Sequence, residues 1–130
     1  MKLNRAGTIL SVGDVWAARD FYVKHFGFAV DAEYRDPDYV ILVGGSMRLS
    51  LSQAGNEAAD LPGYFQHPPR DPLAQSTILV FEVDNADTAY RELTEAGVAA
   101  ASAVVRPPWG GGRFFLVDPD GYLVEIEDMP

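Results

Sequence analysis

The sequence predicts an α+β fold in which two pseudo-symmetric βαβββ modules form a curved mixed sheet around a cleft. Two observations carry this expectation. The chain repeats a strand ending in Val12-Gly13-Asp14 or Val83-Asp84, then a helix, then strands on short turns. Asp14 stands thirteen residues before Gly27 and Asp84 thirteen before Gly97, which predicts two helices of equal span. Apolar residues also alternate along the strands, so each strand has one face for a helix and one facing away from it. A repeat of this size means supersecondary units that bury a core together. Module 1 covers about residues 5–53, a connector residues 54–75 and module 2 about residues 76–129, all in a single domain.

In chain order, Gly7 to Val12 reads as a strand with Thr8, Leu10 and Val12 on one face and Gly7, Ile9 and Ser11 on the other. Asp14 is an N-cap, and Val15, Ala18, Phe21, Tyr22 and Phe26 recur at helical spacing until Gly27 ends the helix. Phe28 to Tyr34 and Tyr39 to Val43 are strands about the turn Asp36-Pro37-Asp38. After the Gly44-Gly45-Ser46 turn, Met47, Leu49 and Leu51 face the helix, while Arg48, Ser50 and Ser52 face away. The connector is rich in proline and glycine yet holds Leu61, Tyr64 and Phe65. Either Tyr64 and Phe65 touch a ligand or they pin the loop.

Module 2 repeats the order. Thr77, Leu79, Phe81 and Val83 alternate with Ile78, Val80 and Glu82. A helix from Asn85 or Ala86 to Ala96 buries Ala89, Tyr90 and Leu93. Ala99 to Val105 is a strand of small residues, followed by the loop Arg106-Pro107-Pro108-Trp109-Gly110-Gly111-Gly112. Strands Arg113 to Val117 and Tyr122 to Glu127 flank the tight turn Asp118-Pro119-Asp120-Gly121, with Leu123, Glu125 and Glu127 on one face.

Composition narrows the function classes. The net charge of −9, from 10 Lys and Arg against 19 Asp and Glu, opposes nucleic-acid binding, which needs clustered cations. No apolar run approaches the roughly 18 residues that cross a bilayer. Residues Met1 to Arg5 lead straight into a strand rather than a signal-peptide core, which points to a cytoplasmic protein. With no cysteine, a disulfide framework, thiolate metal site and cysteine nucleophile are all excluded.

Val12-Gly13-Asp14, Phe21-Tyr22, Phe26-Gly27-Phe28 and Asp118-Pro119-Asp120-Gly121-Tyr122-Leu123-Val124-Glu125 resemble the vicinal-oxygen-chelate superfamily, also called the glyoxalase/bleomycin-resistance/dioxygenase fold. The resemblance covers nearly the whole chain. It implies eight strands in two curved sheets around a cleft, usually completed in a homodimer. It also implies four inward positions for a divalent metal, which fall here on Gly7, Ser50, Ile78 and Glu125. Glycine and isoleucine offer no donor, serine a poor one, and a stable site needs three or more His, Glu or Asp. No metal and no cofactor are therefore expected. His25 lies near the end of the first helix, and His67 in the connector.

The branch that remains resembles bleomycin-resistance and mitomycin-binding proteins, which hold an antibiotic without transforming it. In that branch Trp109, braced by prolines and followed by Gly110, is a stacking platform; otherwise it plugs the core or the dimer seam. Tyr39, and after it Tyr34, would form the second wall, or are ordinary strand aromatics. Arg48 beside Ser50 would donate to ligand oxygens, pair with Glu125 or Glu82, or do both. Glu125 would then be a vestigial metal ligand that binds the captured molecule, by holding Arg48 or by accepting from a ligand hydroxyl. Trp16, on the outer side of the first helix, is read as a packing or dimer contact. The expected function is capture of a flat aromatic antibiotic of the bleomycin, mitomycin or enediyne kind, giving self-resistance. The alternatives are a lyase, isomerase or oxygenase of the same fold, with Glu125, Glu82 and Tyr39 as acid or base groups, and a carrier of a biosynthetic intermediate.

Overall fold

Two helices start on side-chain caps. The Asp14 carboxylate accepts from the backbone N–H groups of Trp16 at 3.0 Å and Ala17 at 3.1 Å, and Asn85 accepts from Thr88 at 2.8 Å. These are donors that a helix start otherwise leaves without partners. The computed structural model describes residues 1–130 as two compact units, Met1–Pro68 and Pro69–Pro130. No helix is long and apolar enough to cross a membrane.

Unit 1 contains β1 (Gly7–Val12), α1 (Val15–Phe26), β2 (Ala29–Tyr34), β3 (Tyr39–Gly44) and β4 (Met47–Gln53). Its sheet has the order β1-β4-β3-β2, with β1 parallel to β4 and the other pairs antiparallel. The alternation predicted for these strands is realised. Leu10, Val12, Val40, Leu42, Leu49 and Leu51 are buried with Val15, Ala18, Tyr22 and Phe28, and each buried Val, Leu or Phe contributes roughly 1.5–3 kcal/mol. Gly27 ends α1 at φ 69, a left-handed conformation that favours glycine. A side chain at Gly44 would stand 2.7 Å from the Phe28 ring, so this glycine lets the ring pack against the hairpin. Trp16 is a packing contact: Arg35 and Arg19 lie over its ring at 4.3 and 5.1 Å, and its indole N–H donates to Asp38 at 3.2 Å.

The connector is more ordered than a plain linker. Glu57 and Phe65 form an antiparallel bridge, and Ala58 donates to the Tyr64 carbonyl at 3.0 Å. Gln66 fastens this loop to β1, its carbonyl accepting from Ser11 Oγ at 2.9 Å and its Nε2 donating to the Ile9 carbonyl at 3.0 Å.

Unit 2 contains β5 (Leu79–Glu82), α2 (Ala86–Glu95), β6 (Gly112–Val117) and β7 (Leu123–Asp128). The sheet order is β5-β7-β6, with β5 parallel to β7. Its core is Leu79, Ala86, Leu93, Phe114, Leu116, Val124 and Ile126. The turn before β7 is closed by the buried Asp118 carboxylate, which accepts from Asp120 at 2.9 Å and Tyr122 at 2.8 Å.

Three expectations for unit 2 are corrected. The helices differ in span, 12 residues in α1 and 10 in α2, because α2 is one residue shorter at each end: its N-cap is Asn85 rather than Asp84 and its C-cap Ala96 rather than Gly97. Ala86 and Leu93, not Ala89 and Tyr90, are the buried residues of α2, and Tyr90 meets Phe114 edge-on at 5.3 Å. The strand expected over Ala99 to Val105 reduces to two isolated bridges, Ala100 with Leu116 and Val105 with Arg113. Between them the Phe115 N–H is taken by Ser102 Oγ at 2.9 Å. A side chain therefore occupies a ladder position meant for a carbonyl, and the small neighbours bury little area to hold the pairing.

Candidate ligand-binding site

Strand register brings the polar positions of unit 1 to one sheet face. Gly7 pairs with Arg48 and Ile9 with Ser50 across β1 and β4. Ile41 pairs with Ser50 and Tyr39 with Ser52 across β3 and β4, and Tyr34 with Tyr39 across β2 and β3. Residues paired in register point to the same side. Tyr39, Arg48 and Ser50 line one concavity of about 500 Å³, whose other wall is the segment Met1 to Thr8. Ser50 is buried to 3% exposure, while Arg48 is exposed and enters none of the chain's ion pairs. Tyr34 does not line the concavity, but its ring lies 6.4 Å from that of Tyr39. Tyr64 and Phe65 are about half exposed on the connector loop.

A second, smaller concavity of about 230 Å³ lies within unit 2, lined by Trp109, Gly110, Arg113, Glu127, Asp128 and neighbours. Trp109 is 80% exposed, so the core-plug reading is corrected: nothing in its own unit covers it. Gly110 has φ 98, and a side chain on it would stand 2.7 Å from Pro130 Cβ. The loop is braced by Arg106, which holds Asp87 and, at 3.3 Å, Asp128. Asp128 accepts from the N–H groups of Ala86 and Gly112, each at 2.7 Å. These two hydrogen bonds, and then Arg106, hold its carboxyl below the usual carboxylate range despite desolvation. Glu125 is buried on β7 between Val80 and Phe115. Its ion pair is with Arg113 at 3.4 Å. Sequence reasoning missed Arg113 and Asp128. Their partners lie on the neighbouring strand, on the Gly112 turn and at the start of α2, and only register and loop return show that.

The sequence profile of the Glyoxalase/Bleomycin resistance protein/Dioxygenase superfamily matches residues 2–126. The chain belongs to this superfamily. A bleomycin resistance protein of Klebsiella pneumoniae is 28% identical over 121 residues, covering 84% of each chain. Among solved structures, a glyoxalase/bleomycin resistance protein/dioxygenase from Nocardioides superposes at TM-score 0.76 with 20% identity, over 98% of this chain and 84% of that one. A lactoylglutathione lyase from Agrobacterium tumefaciens superposes at 0.73 with 20% identity, over 94% and 90%.

The four positions that the superfamily resemblance gives to a metal do not fit one here. A side chain on Gly7 would stand 2.7 Å from the Arg48 carbonyl oxygen, so this backbone has no room for a ligand at position 7. Ile78 carries no donor atom, Ser50 offers only a hydroxyl, and the Glu125 carboxylate is already held by Arg113. No group of three or more His, Cys, Asp or Glu residues could hold a metal ion. Burial beside Phe21, and then Lys24, push the His25 imidazole below its usual range.

Proposed function

We propose that this protein captures a flat aromatic antibiotic reversibly and unmodified, lowering its free concentration and giving self-resistance. The observation that carries this reading is the convergence of Tyr39, Arg48 and Ser50 on one open concavity, in a chain whose inward positions offer no metal-ligand set. Its volume falls within the roughly 300–1,000 Å³ typical of small-molecule sites. Tyr39, backed by Tyr34, supplies an aromatic wall, and Arg48 and Ser50 supply donors. Within unit 2, Trp109 beside Gly110 offers a further exposed stacking plate, and Glu125 fixes Arg113 in place; in unit 1, Tyr64 and Phe65 offer exposed rings on the connector loop. The likeness to a protein named for bleomycin resistance supports a resistance role. In this reading the protein acts in the cytoplasm as a homodimer and needs no cofactor, nucleic acid or membrane.

Native mass spectrometry of the purified protein with a panel of bleomycins, mitomycins and fused aromatic antibiotics tests the proposal. The expected result is a complex that holds the antibiotic and releases it with unchanged mass. Release with an altered mass would identify an enzyme instead.

A further inference from the structure

Four of the chain's ten Lys and Arg side chains are engaged within the fold. Arg19, Arg106 and Arg113 each hold a carboxylate, on Glu33, Asp87 and Glu125, and Arg35 stacks on Trp16. Lys2, Arg5, Lys24, Arg48, Arg70 and Arg91 have no such engagement, and three of them, Lys2, Arg5 and Arg48, gather at one place. All three are exposed and line the same concavity of about 500 Å³, and no Asp or Glu lines it with them. The chain as a whole has 19 acidic residues and only 10 Lys and Arg, so this concavity carries the opposite sign to the molecule around it.

We infer that the ligand of this concavity is an anion: an aromatic compound bearing a carboxylate, sulfate, sulfonate or ionised phenol. This rests on the capture reading above and names the charge of what is captured. A cationic ligand would meet three positive side chains and no counter-charge, and concave walls focus that field rather than disperse it. An anion would meet a guanidinium whose planar fork matches two oxygens at once. The neutral groups of the lining, the hydroxyls of Ser50, Thr8 and Tyr39 and the Asn4 amide, can all donate as well. Gly7 adds room. Having no side chain, it leaves open the flank of Arg48, where a Cβ would stand 3.1 Å from Arg48 Cβ. The same charges disfavour cationic antibiotics such as bleomycins at this site.

Three flat probes of one shape test this: anthraquinone sulfonate, a neutral hydroxymethyl anthraquinone and a trimethylammonium-methyl anthraquinone. Each is titrated calorimetrically into the intact protein at low and high sodium chloride. The sulfonate is expected to bind at least about tenfold more tightly than the trimethylammonium probe, with the gap narrowing as salt rises. Arg48→Gln and the double variant Lys2→Gln/Arg5→Gln should each shrink that preference, with unfolding midpoints unchanged. Lys24→Gln, which lies elsewhere, should leave the preference intact. Equal binding of all three probes, or tightest binding of the cation, would overturn the charge assignment while capture of aromatic compounds stands. Failure of all three to bind would overturn both.

Discussion

An indole that leaves 80% of its surface in water adds little to folding. Trp109→Ala is expected to shift the free energy of urea unfolding by no more than about 0.5 kcal/mol, the usual range for a surface site. The same change should weaken aromatic capture by roughly tenfold or more, the effect of removing a stacking anchor. A loss of stability with unchanged binding would return Trp109 to a packing role. Asp128 presents the reverse case, a side chain that works for the fold. Its carboxyl is held below the usual range by the N–H groups of Ala86 and Gly112 and by Arg106. A group with a depressed folded pKa stabilises fully above its unfolded value, about 3.9, and loses that contribution as pH falls through the folded value. Asp128→Asn should therefore melt at a lower temperature at pH 7 and lose less further stability in acid than the wild type. Parallel acid-unfolding curves for the two proteins would remove Asp128 from that role. That Arg48 and Ser50 share a sheet face was legible in the sequence because alternation along a strand is local, whereas Tyr39 was suggested by the family resemblance. Arg113 and Asp128 were not legible, because their roles depend on which strands and turns lie beside them.

At the scale of elements, caps and turns carried most of the information. Asp14, Gly27, the hairpin glycines and Asp118-Pro119-Asp120-Gly121 each dictate a local conformation, and each element they bound formed within a residue or two of its expected ends. The exception is Ala99 to Val105, where strand propensity does not decide what fills the ladder. Ser102 Oγ now accepts from the Phe115 N–H. Ser102→Ala leaves that donor without its partner and should cost roughly 1–3 kcal/mol, measured by urea unfolding. It should also speed amide exchange at Phe115 relative to Phe114. If exchange at Phe115 is unchanged, another acceptor must take the donor, and the segment is better described as a strand. Equal helix spans also failed, since a repeat in the sequence aligns residues but does not decide whether Asp84 or Asn85 becomes the cap.

For the whole molecule, the two sheets pose one question: both leave apolar side chains in water on the faces that carry the site residues. Ile9 and Tyr34 are half exposed on the first sheet, and Val80 and the adjoining Ile78 on the second. Exposed apolar surface of this kind marks an interaction face, and the homodimer of our proposal would cover it. Two chains of net charge −9 repel one another, so their association must come from apolar burial and should strengthen as salt screens the repulsion. Capture of an anion by Lys2, Arg5 and Arg48 should instead weaken under the same salt. Sedimentation across a salt series is expected to show a species of twice the 14.2 kDa chain mass, favoured at high ionic strength, while anthraquinone sulfonate affinity falls. Opposite slopes distinguish apolar association from charge-driven capture: if both fell together, like-charged chains would be held by polar contacts, and the apolar faces would need a different occupant. A monomer at every concentration would remove the homodimer from the proposal and leave the concavity of unit 1 to act alone.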